Sequence, residues 1–418
     1  MADPNGFPSL KAFLDSLQSA KYSDYSPRAA SKVAHEDAFA EMKAHVAKLY
    51  DKTEAPHSFM DEGGGVFDCI PIEQQLGLRG SSGGVPKAPD LPPIEAAGGP
   101  QDERKASLIV SPFGPHRKDR HGNVMHCPPG TIPMRRVTLE DLTRFGTLKD
   151  FFRKGPRGAG RPPQASQPAG VPATHRWAHA FQNVNNNGGH SFLNLWDPAI
   201  GANQVFSLSQ HWYVGGSGAN LQTAECGWQV YPGMYNNSPL PHLFTYWTAD
   251  DYNATGCYSM TCGAFVSLSS SFVPGMALGP ISVSGGTQYE IELAYWHANG
   301  KWFLYMNGTA GSNCIGYYND TQYKGGALSK NAAEIDYGGE VVGTTSFPPM
   351  GSGAFASAGW QKAAYQRTIG YWPPLGGTMI NASLTPSQLW PKCYTAQVDL
   401  YASPWFETVW FGGPGGNC

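Results

Sequence analysis

The sequence lacks any long apolar run, any excess of basic charge and the common signatures of nucleotide-dependent and metal-dependent enzymes. No stretch approaches the roughly 18 apolar residues that a helix needs to cross a bilayer, so no membrane span is expected. The 29 Lys and Arg residues are outnumbered by 32 Asp and Glu residues, which gives no electrostatic footprint for nucleic acid. H-E-x-x-H, P-loop and G-x-G-x-x-G patterns are absent. We therefore expect no metal, no cofactor and no nucleic-acid partner.

Charge is scarce in the second half of the chain. Residues 1–150 hold 18 Lys/Arg and 20 Asp/Glu, whereas residues 175–418 hold 7 Lys/Arg and 12 Asp/Glu. A region with so few basic groups accumulates little positive self-repulsion when its carboxylates are protonated, which favours tolerance of acid. This shift in composition and the length of 418 residues predict two folding units.

Cysteines and sequons indicate a secretory protein. The eight cysteines include no C-x-x-C pair of the kind found in zinc and redox sites. Five N-x-S/T sequons predict surface glycosylation at Asn236, Asn253, Asn307, Asn319 and Asn381. Because disulfides and sequons together are typical of an oxidising compartment, we expect a secreted protein. The N-terminus has no charged region followed by an apolar one, so we expect the signal peptide to be absent from this chain.

Residues 1–152 are predicted to form a small α+β domain. Apolar residues recur every three or four positions between residues 35 and 50, which predicts an amphipathic helix, and residues 66–72 indicate a short strand. Thr138 and Asp141 have the spacing of a capping box at the start of another helix. Cys69 and Cys127 each lie beside a short strand, and we expect a disulfide between them to stabilise a domain with a thin core.

Residues 153–174 are predicted to be an exposed linker and the domain boundary. The segment RKGPRGAGRPPQASQPAGVPAT holds four basic residues, five prolines and no acid, and it has no apolar periodicity. Proteases cut preferentially in exposed segments of this kind. Pro163, Pro168 and Pro172 are among its prolines.

Residues 175–418 are predicted to form an all-β domain. Short runs rich in aromatic and β-branched residues, such as HSFLNLW, NQVFSLSQHWYV and YEIELAYW, are separated by Gly, Asn and Pro. Several of these runs alternate polar and apolar residues, which is typical of strands with one buried face. The fold class that follows is an antiparallel β-sandwich preceded by the small α+β domain.

The scarcity of acids in the β-rich half makes each carboxylate within a strand informative. The eight candidates are Glu225, Glu290, Glu292, Glu334, Asp336, Glu340, Asp399 and Glu407. Glu225 stands among small and aromatic residues in LQTAECGWQVYP. Glu340 follows Gly338 and Gly339 in IDYGGEVVG, where glycine permits a bulge or a close backbone approach. Both glutamates are therefore either hydrogen-bonded structural groups or a catalytic pair.

The ordered motifs of the chain resemble those of the neprosin family of secreted plant proteins. In the first half the resemblance lies in GGGVFDCIPIEQQ and CPPGTIPMRRVTLEDLTRF. In the second half it lies, in order, in HRWAHAF, SFLNLWDPAI, FSLSQHWYVGG, ECGWQVYP, FTYWTADDYNATGCYSMTC and IDYGGEV. Six matches in the same order are more specific than any single motif. The resemblance begins near residue 63 and is weak over residues 1–62 and 79–120.

The resemblance implies a glutamic peptidase in its proenzyme form. It implies that Glu225 and Glu340 are the two catalytic glutamates, that cleavage occurs after proline at acid pH, and that the N-terminal activation domain is removed on acidification. An enzyme of this kind would find sites for self-processing in the linker at Pro163, Pro168 and Pro172. The partners would be proline-containing peptides or proteins, with the N-terminal domain as an intramolecular inhibitor. We expect a monomer.

The resemblance also implies disulfides in the second half. Two cysteine pairs correspond to family disulfides, namely Cys257 with Cys262 and Cys393 with Cys418. These assignments leave Cys226 to pair with Cys314. Cys226 departs from the family pattern, in which a small residue commonly follows the first catalytic glutamate, so this pairing would constrain the active site.

Two neighbouring carboxyl groups suit peptide hydrolysis in acid. They cannot easily both ionise, so one retains a proton across an acidic range of pH. The carboxylate would deprotonate a water that attacks the scissile carbonyl, while the carboxylic acid would polarise that carbonyl and assist the departing amine. A separation above about 10 Å would leave no shared water. Four aromatic residues are candidates for the walls of a proline pocket: Trp228, Tyr246, Trp247 and Tyr337.

Two other functions fit parts of the sequence. Glu334, Asp336 and Glu340 imitate the acidic strand motif of sandwich-fold glycosidases, which also use two carboxylates. In those enzymes, however, the second glutamate follows the Asp more closely than Glu340 follows Asp336. A lectin-like binding module is the non-enzymatic alternative, because aromatic-rich sandwiches bind sugars by stacking. A lectin has no need of a removable N-terminal domain.

Overall fold

The computed structural model describes residues 5–79, 84–94, 102–154 and 174–418. Its α-helices are α1 (Leu10–Ser19), α2 (Tyr22–Tyr25), α3 (Glu36–Leu49), α4 (Leu139–Leu142) and α5 (Leu148–Phe152). The strands before residue 155 are β1 (His57–Met60), β2 (Val66–Pro71), β3 (Ser107–Leu108) and β4 (Thr131–Arg135). Within the described ranges, no helix is both long and apolar enough to span a membrane.

The strands after residue 174 build the larger part of the molecule. They are β5 (His175–Asn186), β6 (Gly188–Asn194), β7 (Gln204–Gly215), β8 (Gln222–Val230), β9 (His242–Thr248), β10 (Cys257–Tyr258), β11 (Phe265–Ser267), β12 (Tyr289–Ala298), β13 (Lys301–Met306), β14 (Cys314–Asn319), β15 (Ala332–Gly343), β16 (Ala364–Tyr371), β17 (Ile380–Asn381), β18 (Thr385–Gln388), β19 (Thr395–Leu400) and β20 (Glu407–Gly412).

The N-terminal domain packs helices against a three-stranded antiparallel sheet in the order β1-β2-β4. The predicted amphipathic helix is α3, and its apolar stripe is buried. The capping box of Thr138 and Asp141 is present at the start of α4. Cys69 and Cys127 form the predicted disulfide, which ties β2 to the segment before β4. The α+β character predicted for this part of the chain is therefore present.

A buried ion pair contributes to the N-terminal domain. Arg136 donates to both carboxylate oxygens of Asp68, at 2.6 and 2.8 Å, and Ser58 donates to the same carboxylate at 2.7 Å. Both charged groups are shielded from water. Removing one partner would leave the other uncompensated, at a cost of about 3–5 kcal/mol. The interior of this small domain thus depends on charge pairing as well as on apolar packing.

Two antiparallel sheets face each other in the β-rich part. One has seven strands in the order β10-β9-β8-β7-β15-β5-β18. The other has ten strands, with β11-β14-β13-β12-β6-β16-β20-β19 in its main path and β17 and β3 paired to β16 and β12. Trp228 of β8 donates across the core to the Asn194 oxygen of β6. The predicted antiparallel β-sandwich is confirmed.

The N-terminal part contacts the outer faces of both sheets. Over the seven-stranded sheet, the Phe152 carbonyl accepts from the Tyr246 hydroxyl. Strand β3 joins the ten-stranded sheet itself, where it pairs in parallel with the start of β12. Residues 84–94 follow the same sheet, where the Leu91 amide donates to the Thr309 oxygen at 2.8 Å. The sandwich is therefore enclosed from two sides by residues that precede position 155.

The described residues contain three disulfides, which are Cys69–Cys127, Cys257–Cys262 and Cys393–Cys418. The predicted bond between Cys226 and Cys314 is wrong, since both residues are free and buried. Cys226 lies in the core between the sheets, whereas Cys314 packs with Tyr305 on the outer face of the ten-stranded sheet. A sheet therefore separates the two thiols, and the constraint expected from a disulfide at Cys226, next to Glu225, is missing.

Candidate active site

Glu225 lies in the middle of β8 on the outer face of the seven-stranded sheet. Side chains alternate along a strand, so Glu225 points away from the core that Trp228 enters. Its Oε1 accepts from the hydroxyls of Thr223 and Tyr252, both at 2.7 Å. Its Oε2 accepts from Gln210 Nε2 at 3.0 Å. These three neutral donors hold a fully buried carboxylate in one orientation.

Glu340 lies two strands away on the same face. Strand β7 runs between β8 and β15, and it pairs Trp212 with Glu225 on one side and Leu208 with Glu340 on the other. Glu340 Oε1 is 2.6 Å from His175 Nδ1, on the neighbouring strand β5. The Glu340 side chain is also buried. Because β7 is hydrogen-bonded on both edges, the sheet determines the separation of the two glutamates, here called the glutamate pair.

The ammonium of Lys154 lies between the members of the glutamate pair. Its Nζ is 2.5 Å from Glu225 Oε2, 2.9 Å from Glu340 Oε2 and 2.9 Å from Gln210 Oε1. The two carboxylate oxygens are therefore at most 5.4 Å apart, the sum of the first two distances. This separation lies within the limit of about 10 Å for sharing one water. Lys154 is 1% exposed, so the prediction of an exposed linker from residue 153 is wrong at this position.

The backbone before Lys154 crosses the space above the glutamate pair, here called the cleft. Helix α5 ends at Phe152, whose carbonyl accepts from the Tyr246 hydroxyl at 3.2 Å. The Lys154 ammonium is 5.2 Å from the centre of the Trp212 ring, which adds a cation–π contact. Residues 152–154 thus occupy the space directly above the glutamate pair.

Burial and charge act in opposite directions on Glu340. Burial by itself would raise the pKa of this carboxyl, because the charged form loses its hydration. The ammonium of Lys154 and the hydrogen bond and charge of His175 outweigh burial, and they lower the pKa of Glu340 below its usual 4.5. Burial, reinforced by the charge of Glu225, raises the pKa of Tyr252 well above its usual range. Tyr252 therefore stays a hydrogen-bond donor to Glu225 throughout the physiological range of pH.

Glycines allow the strands that carry the glutamate pair to lie close to their neighbours. A Cβ at Gly227 would lie 2.0 Å from the Ser209 oxygen. At Gly338, φ is +147° and a Cβ would lie 2.5 Å from the Ala178 oxygen. The close approach predicted beside Glu340 is thus present, although it is made by a neighbouring strand. The bulge that was predicted as the alternative is absent at this point of β15, because the pairing of β15 with β5 and with β7 stays in register there.

One of the four aromatic residues predicted to line a proline pocket lies beside the glutamate pair. Tyr246 of β9 is paired with Glu225 of β8 and shares its face. Trp228 and Tyr337 point into the core between the sheets, and Trp247 points to the face opposite Tyr246. The prediction is wrong for these three. Each is an odd number of positions from a residue of the cleft, which places it on the other side of its strand.

The other acids of β15 are engaged elsewhere. Asp336 lies 2.8 and 2.9 Å from His179 Nδ1, through its two carboxylate oxygens. Glu334 lies two residues further along β15 from the glutamate pair than Asp336 does. The ion pairs of Lys154 are with Glu225 and Glu340, and not with Asp336 or Glu334. The acidic motif therefore does not act as one cluster. Among the residues that the structure describes, no three His, Cys, Asp or Glu side chains are placed to hold a metal ion.

Six residues around the glutamate pair were not predicted from the sequence, namely Lys154, His175, Gln210, Trp212, Thr223 and Tyr252. Thr223 could have been found, because it precedes Glu225 by two residues in a strand and must share its face. Lys154 had no such signal. It belongs to a segment whose composition is typical of linkers, and its position depends on how the N-terminal domain sits on the sandwich.

The sequon asparagines differ in exposure. Asn236, Asn253 and Asn381 are exposed, and Asn319 is half-buried. Asn307 is half-buried too, and its Nδ2 donates to the Ile109 oxygen at 2.8 Å. The expectation of a freely accessible side chain is therefore wrong for Asn307 while the N-terminal part is in place. The predicted processing sites Pro163, Pro168 and Pro172 lie outside the described residues.

One family model matches this chain, and solved structures are similar to it. A family model described as Neprosin matches residues 203–414, which include both members of the glutamate pair. Among solved structures, the chain is similar to a scytalido-glutamic peptidase with a transition-state analog inhibitor, at 9% identity over 58% of this chain and 98% of that chain, with a TM-score of 0.31. It is also similar to SCP-B of the eqolisin peptidases in complex with the tripeptide Ala-Ile-His, at 8% identity over 58% of this chain and 98% of that chain, with a TM-score of 0.30.

Proposed function

This chain belongs to the neprosin family, and we propose that it is the proenzyme of a glutamic endopeptidase that cleaves after proline at acid pH. Membership of that family supports a peptidase. The observation that carries the proposal is the glutamate pair, two buried carboxylates whose nearest oxygens are at most 5.4 Å apart and share one ammonium group. That ammonium group comes from the N-terminal part of the chain.

Once Lys154 has left, the glutamate pair would hold one proton between its two carboxyl groups. Carboxylates this close repel each other, so the second ionises less readily than the first. The ionised member would take a proton from a water, whose oxygen attacks the scissile carbonyl carbon. The protonated member would hydrogen-bond to the carbonyl oxygen and polarise it, and would then give its proton to the departing amine. The proton taken from water stays on the other member, so the pair again holds one proton.

Neutral donors of the sandwich prepare Glu225 for this reaction. Gln210, Thr223 and Tyr252 all donate to its carboxylate, and all three belong to the part of the chain after residue 174. They would therefore remain when the N-terminal domain leaves. Donors held in place before the reaction limit the reorganisation that accompanies a change of charge.

The N-terminal domain would inhibit the enzyme by occupying the reaction centre. Lys154 Nζ lies where the attacking water and the scissile carbonyl have to bind. The Phe152 carbonyl uses the hydroxyl of Tyr246, a donor that a substrate backbone could otherwise use. Inhibition would end when these contacts break and the chain is cut in residues 155–173.

The proposed preference for proline is supported by the aromatic walls beside Glu225. Trp212 and Tyr246 lie on the two strands that flank β8, each paired with Glu225. Flat aromatic faces pack well against the pyrrolidine ring, which offers no backbone N–H that would need a partner. In the proenzyme, the Trp212 face is taken by the Lys154 side chain.

Matched peptides test the proposed reaction. At acid pH the processed enzyme is expected to cleave a peptide directly after its single proline, and to cleave the alanine counterpart about 10–200-fold more slowly. Mass spectrometry of the products identifies the bond. Equal rates would contradict the proline preference. Release of reducing sugar from β-glucan, with no peptide cleavage, would favour the glycosidase instead.

Acid would loosen the N-terminal domain partly through His45. The His45 ring packs edge-on against Phe152, and its Nε2 lies 2.7 Å from the Thr261 oxygen of the sandwich. Burial lowers the pKa of His45 below 6.5, and the hydrogen bond to Thr261 offsets this only in part. An undocked His45 takes up a proton as the pH falls below 6.5, whereas the docked one resists it. Docking is therefore fully stabilised above that pH and weakens below it.

His45→Gln should move the release of the N-terminal domain to lower pH, because an amide can keep the bond to Thr261 without gaining a charge. Gel filtration across a pH series measures the midpoint of release. His57→Gln is the matched control, since His57 bonds the Val124 oxygen inside the N-terminal domain. An unchanged midpoint in His45→Gln would exclude this histidine as an acid sensor.

Secretion and glycosylation complete the proposal. The three disulfides of the described residues support folding in an oxidising compartment. The exposed sequon asparagines Asn236, Asn253 and Asn381 are accessible to a glycosylating enzyme.

A further inference from the structure

The outer face of the ten-stranded sheet carries an aromatic groove that the proposed hydrolysis does not use. This groove is here called the outer groove. Its aromatic floor is made by side chains of β12, β13, β14 and the loop after β16, namely Trp296, Phe303, Tyr305, Tyr317, Trp372 and Met379. The alternate residues of β13, Trp302 and Leu304, face the core between the sheets. The outer groove and the glutamate pair therefore lie on opposite sides of the sandwich.

Residues 85–94, here called the strap, fill the outer groove. The strap has the sequence VPKAPDLPPI, with four prolines, and it forms neither helix nor strand. Ala88 and Leu91 are 7% and 8% exposed, and they pack against the aromatic floor. Because each proline has a restricted φ, an extended segment of this kind loses little conformational entropy on docking.

Backbone atoms of the strap make most of its hydrogen bonds with the outer groove. Three such bonds are the Tyr305 hydroxyl to the Pro89 oxygen at 2.5 Å, the Leu91 amide to the Thr309 oxygen at 2.8 Å and the Met379 amide to the Pro93 oxygen at 2.9 Å. Bonds to the backbone recognise an extended chain without requiring particular side chains. The outer groove would therefore accept related sequences.

Gly311 shows how closely the strap is seated. Its amide donates to the Asp90 carboxylate at 2.7 Å. A Cβ at Gly311 would lie 2.4 Å from the Ala88 oxygen, so a larger residue here would push the strap away. The position lies far from the glutamate pair, in the turn between β13 and β14 of the ten-stranded sheet. A substitution at Gly311 can therefore close the outer groove without touching the reaction centre.

Docking of proline-rich segments on aromatic-lined grooves is a common mode of peptide recognition. As part of the same chain, the strap occupies the outer groove at an effective concentration of millimolar order. Removal of the N-terminal domain would take the strap with it and expose the aromatic floor. Contiguous exposed apolar surface is typical of binding sites.

We propose that the outer groove of the processed enzyme is a second peptide-binding site, which holds an extended, proline-containing stretch of a polypeptide substrate while another stretch is cleaved. The inference rests on the proposed function, because the strap must leave with the N-terminal domain. Holding the substrate at a second point raises its local concentration at the glutamate pair. Long proline-rich substrates should therefore have a lower KM than short ones with the same cleaved bond.

Cys314 reports occupancy of the outer groove without any need for catalysis. It is 3% exposed in the same cluster as Ala88 and Leu91, and burial raises the pKa of its thiol to about 12, so the covered thiol should be unreactive. Cys226, the other free cysteine of the described residues, stays in the core between the sheets. In the full-length chain, Leu91→Asp with Ala88→Asp should unseat the strap and speed the alkylation of Cys314 at least about tenfold. Leu91→Ser is a milder alternative should the double variant fold poorly.

A synthetic peptide with the sequence of the strap should then take its place. At about ten times its Kd, the peptide is expected to slow alkylation of Cys314 in the strap variant about elevenfold. A peptide with alanine at the proline positions should protect much less, and Gly311→Val should abolish protection. Cys314→Ser identifies the labelled thiol. Equal protection by both peptides, or alkylation of the strap variant at the wild-type rate, would overturn the proposal.

Two substrates separate this proposal from the proposed function. After acid processing, a short single-proline peptide reports the glutamate pair alone. A long polypeptide that carries the same bond, with a fluorogenic reporter at that bond only, and a distant proline-rich stretch reports both sites. Gly311→Val should raise KM for the long substrate about tenfold or more and leave the short one unchanged. If neither substrate is cleaved, the proposed function fails, and the alkylation experiment still decides the binding site. An unchanged KM for the long substrate would reject the outer groove as a substrate site.

Discussion

Glu225→Gln should lower kcat of the processed enzyme by about 10²–10⁴-fold, the usual contribution of a positioned acid–base group. Glutamine keeps the shape of the side chain but can neither take a proton from water nor give one to the substrate. Glu340→Gln should cost a similar factor, and the double variant little more, because two groups that act as a unit are not additive. Steady-state kinetics on a proline peptide at acid pH measures these effects.

A glutamate outside the cleft supplies the control. Glu292 lies 2.9 Å from His190 on the ten-stranded sheet, so Glu292→Gln should leave kcat close to the wild-type value. Thermal melting confirms that each variant is folded. A folded Glu225→Gln enzyme that keeps most of its activity would refute the paired-glutamate mechanism.

The same substitution distinguishes self-processing from cleavage by another enzyme. The full-length Glu225→Gln chain should stay intact on acidification, whereas the wild-type chain should lose its N-terminal domain. Gel electrophoresis after acid incubation follows the cut. Unchanged processing of the variant would rule out self-cleavage while leaving the peptidase activity to be judged by the kinetics.

Lys154→Met should release the N-terminal domain at a higher pH than in the wild-type chain. Methionine fills a similar space but leaves two buried carboxylates without their cation, which costs about 3–5 kcal/mol, or about 10²–10⁴-fold in the docking equilibrium. The sign follows from Glu340, whose pKa is lowered by Lys154. The ion pair of Glu340 with Lys154 stabilises docking in full at a pH above 4.5, the usual pKa of the carboxyl. This stabilisation is lost as the pH falls through the lowered pKa of Glu340. The Lys154→Met chain lacks this stabilisation, so its N-terminal domain is released at a higher pH.

Arg153→Met is the matched control for Lys154→Met. Arg153 is adjacent in sequence, yet it pairs with Asp150 at 3.1 Å near the surface, and such pairs contribute little. Gel filtration across a pH series and the onset of activity against a proline peptide both report the midpoint of release. A wild-type midpoint in Lys154→Met would show that this ammonium does not hold the domain in place.

The architecture could be predicted because its signals are local. Alternation of polar and apolar residues indicated strands with one buried face, and the turn residues between them indicated an antiparallel sandwich. The helix α3, the capping box of Thr138 and the disulfide of Cys69 with Cys127 were predicted from features within a few residues of each position. Each was confirmed.

The faces of the strands were harder to predict than the strands themselves. Trp228 and Tyr337 are aromatic neighbours of the two glutamates in sequence, but they lie three residues away, on the other side of their strands. Cys226 is adjacent to Glu225 and points into the core for the same reason. Alternation with a period of two indicates that a strand has two different faces. It does not indicate which of the two faces is covered by another domain.

The sequence by itself determined that residues 175–418 form a charge-poor β-sandwich and that Glu225 and Glu340 are unusual carboxylates within it. Only the tertiary structure decided that the two meet, because their separation depends on the sheet order β8-β7-β15. It also decided that Lys154 joins them and that the strap covers the outer groove. Periodicity and capping depend on neighbouring residues, whereas strand order and domain docking depend on contacts between distant parts of the chain.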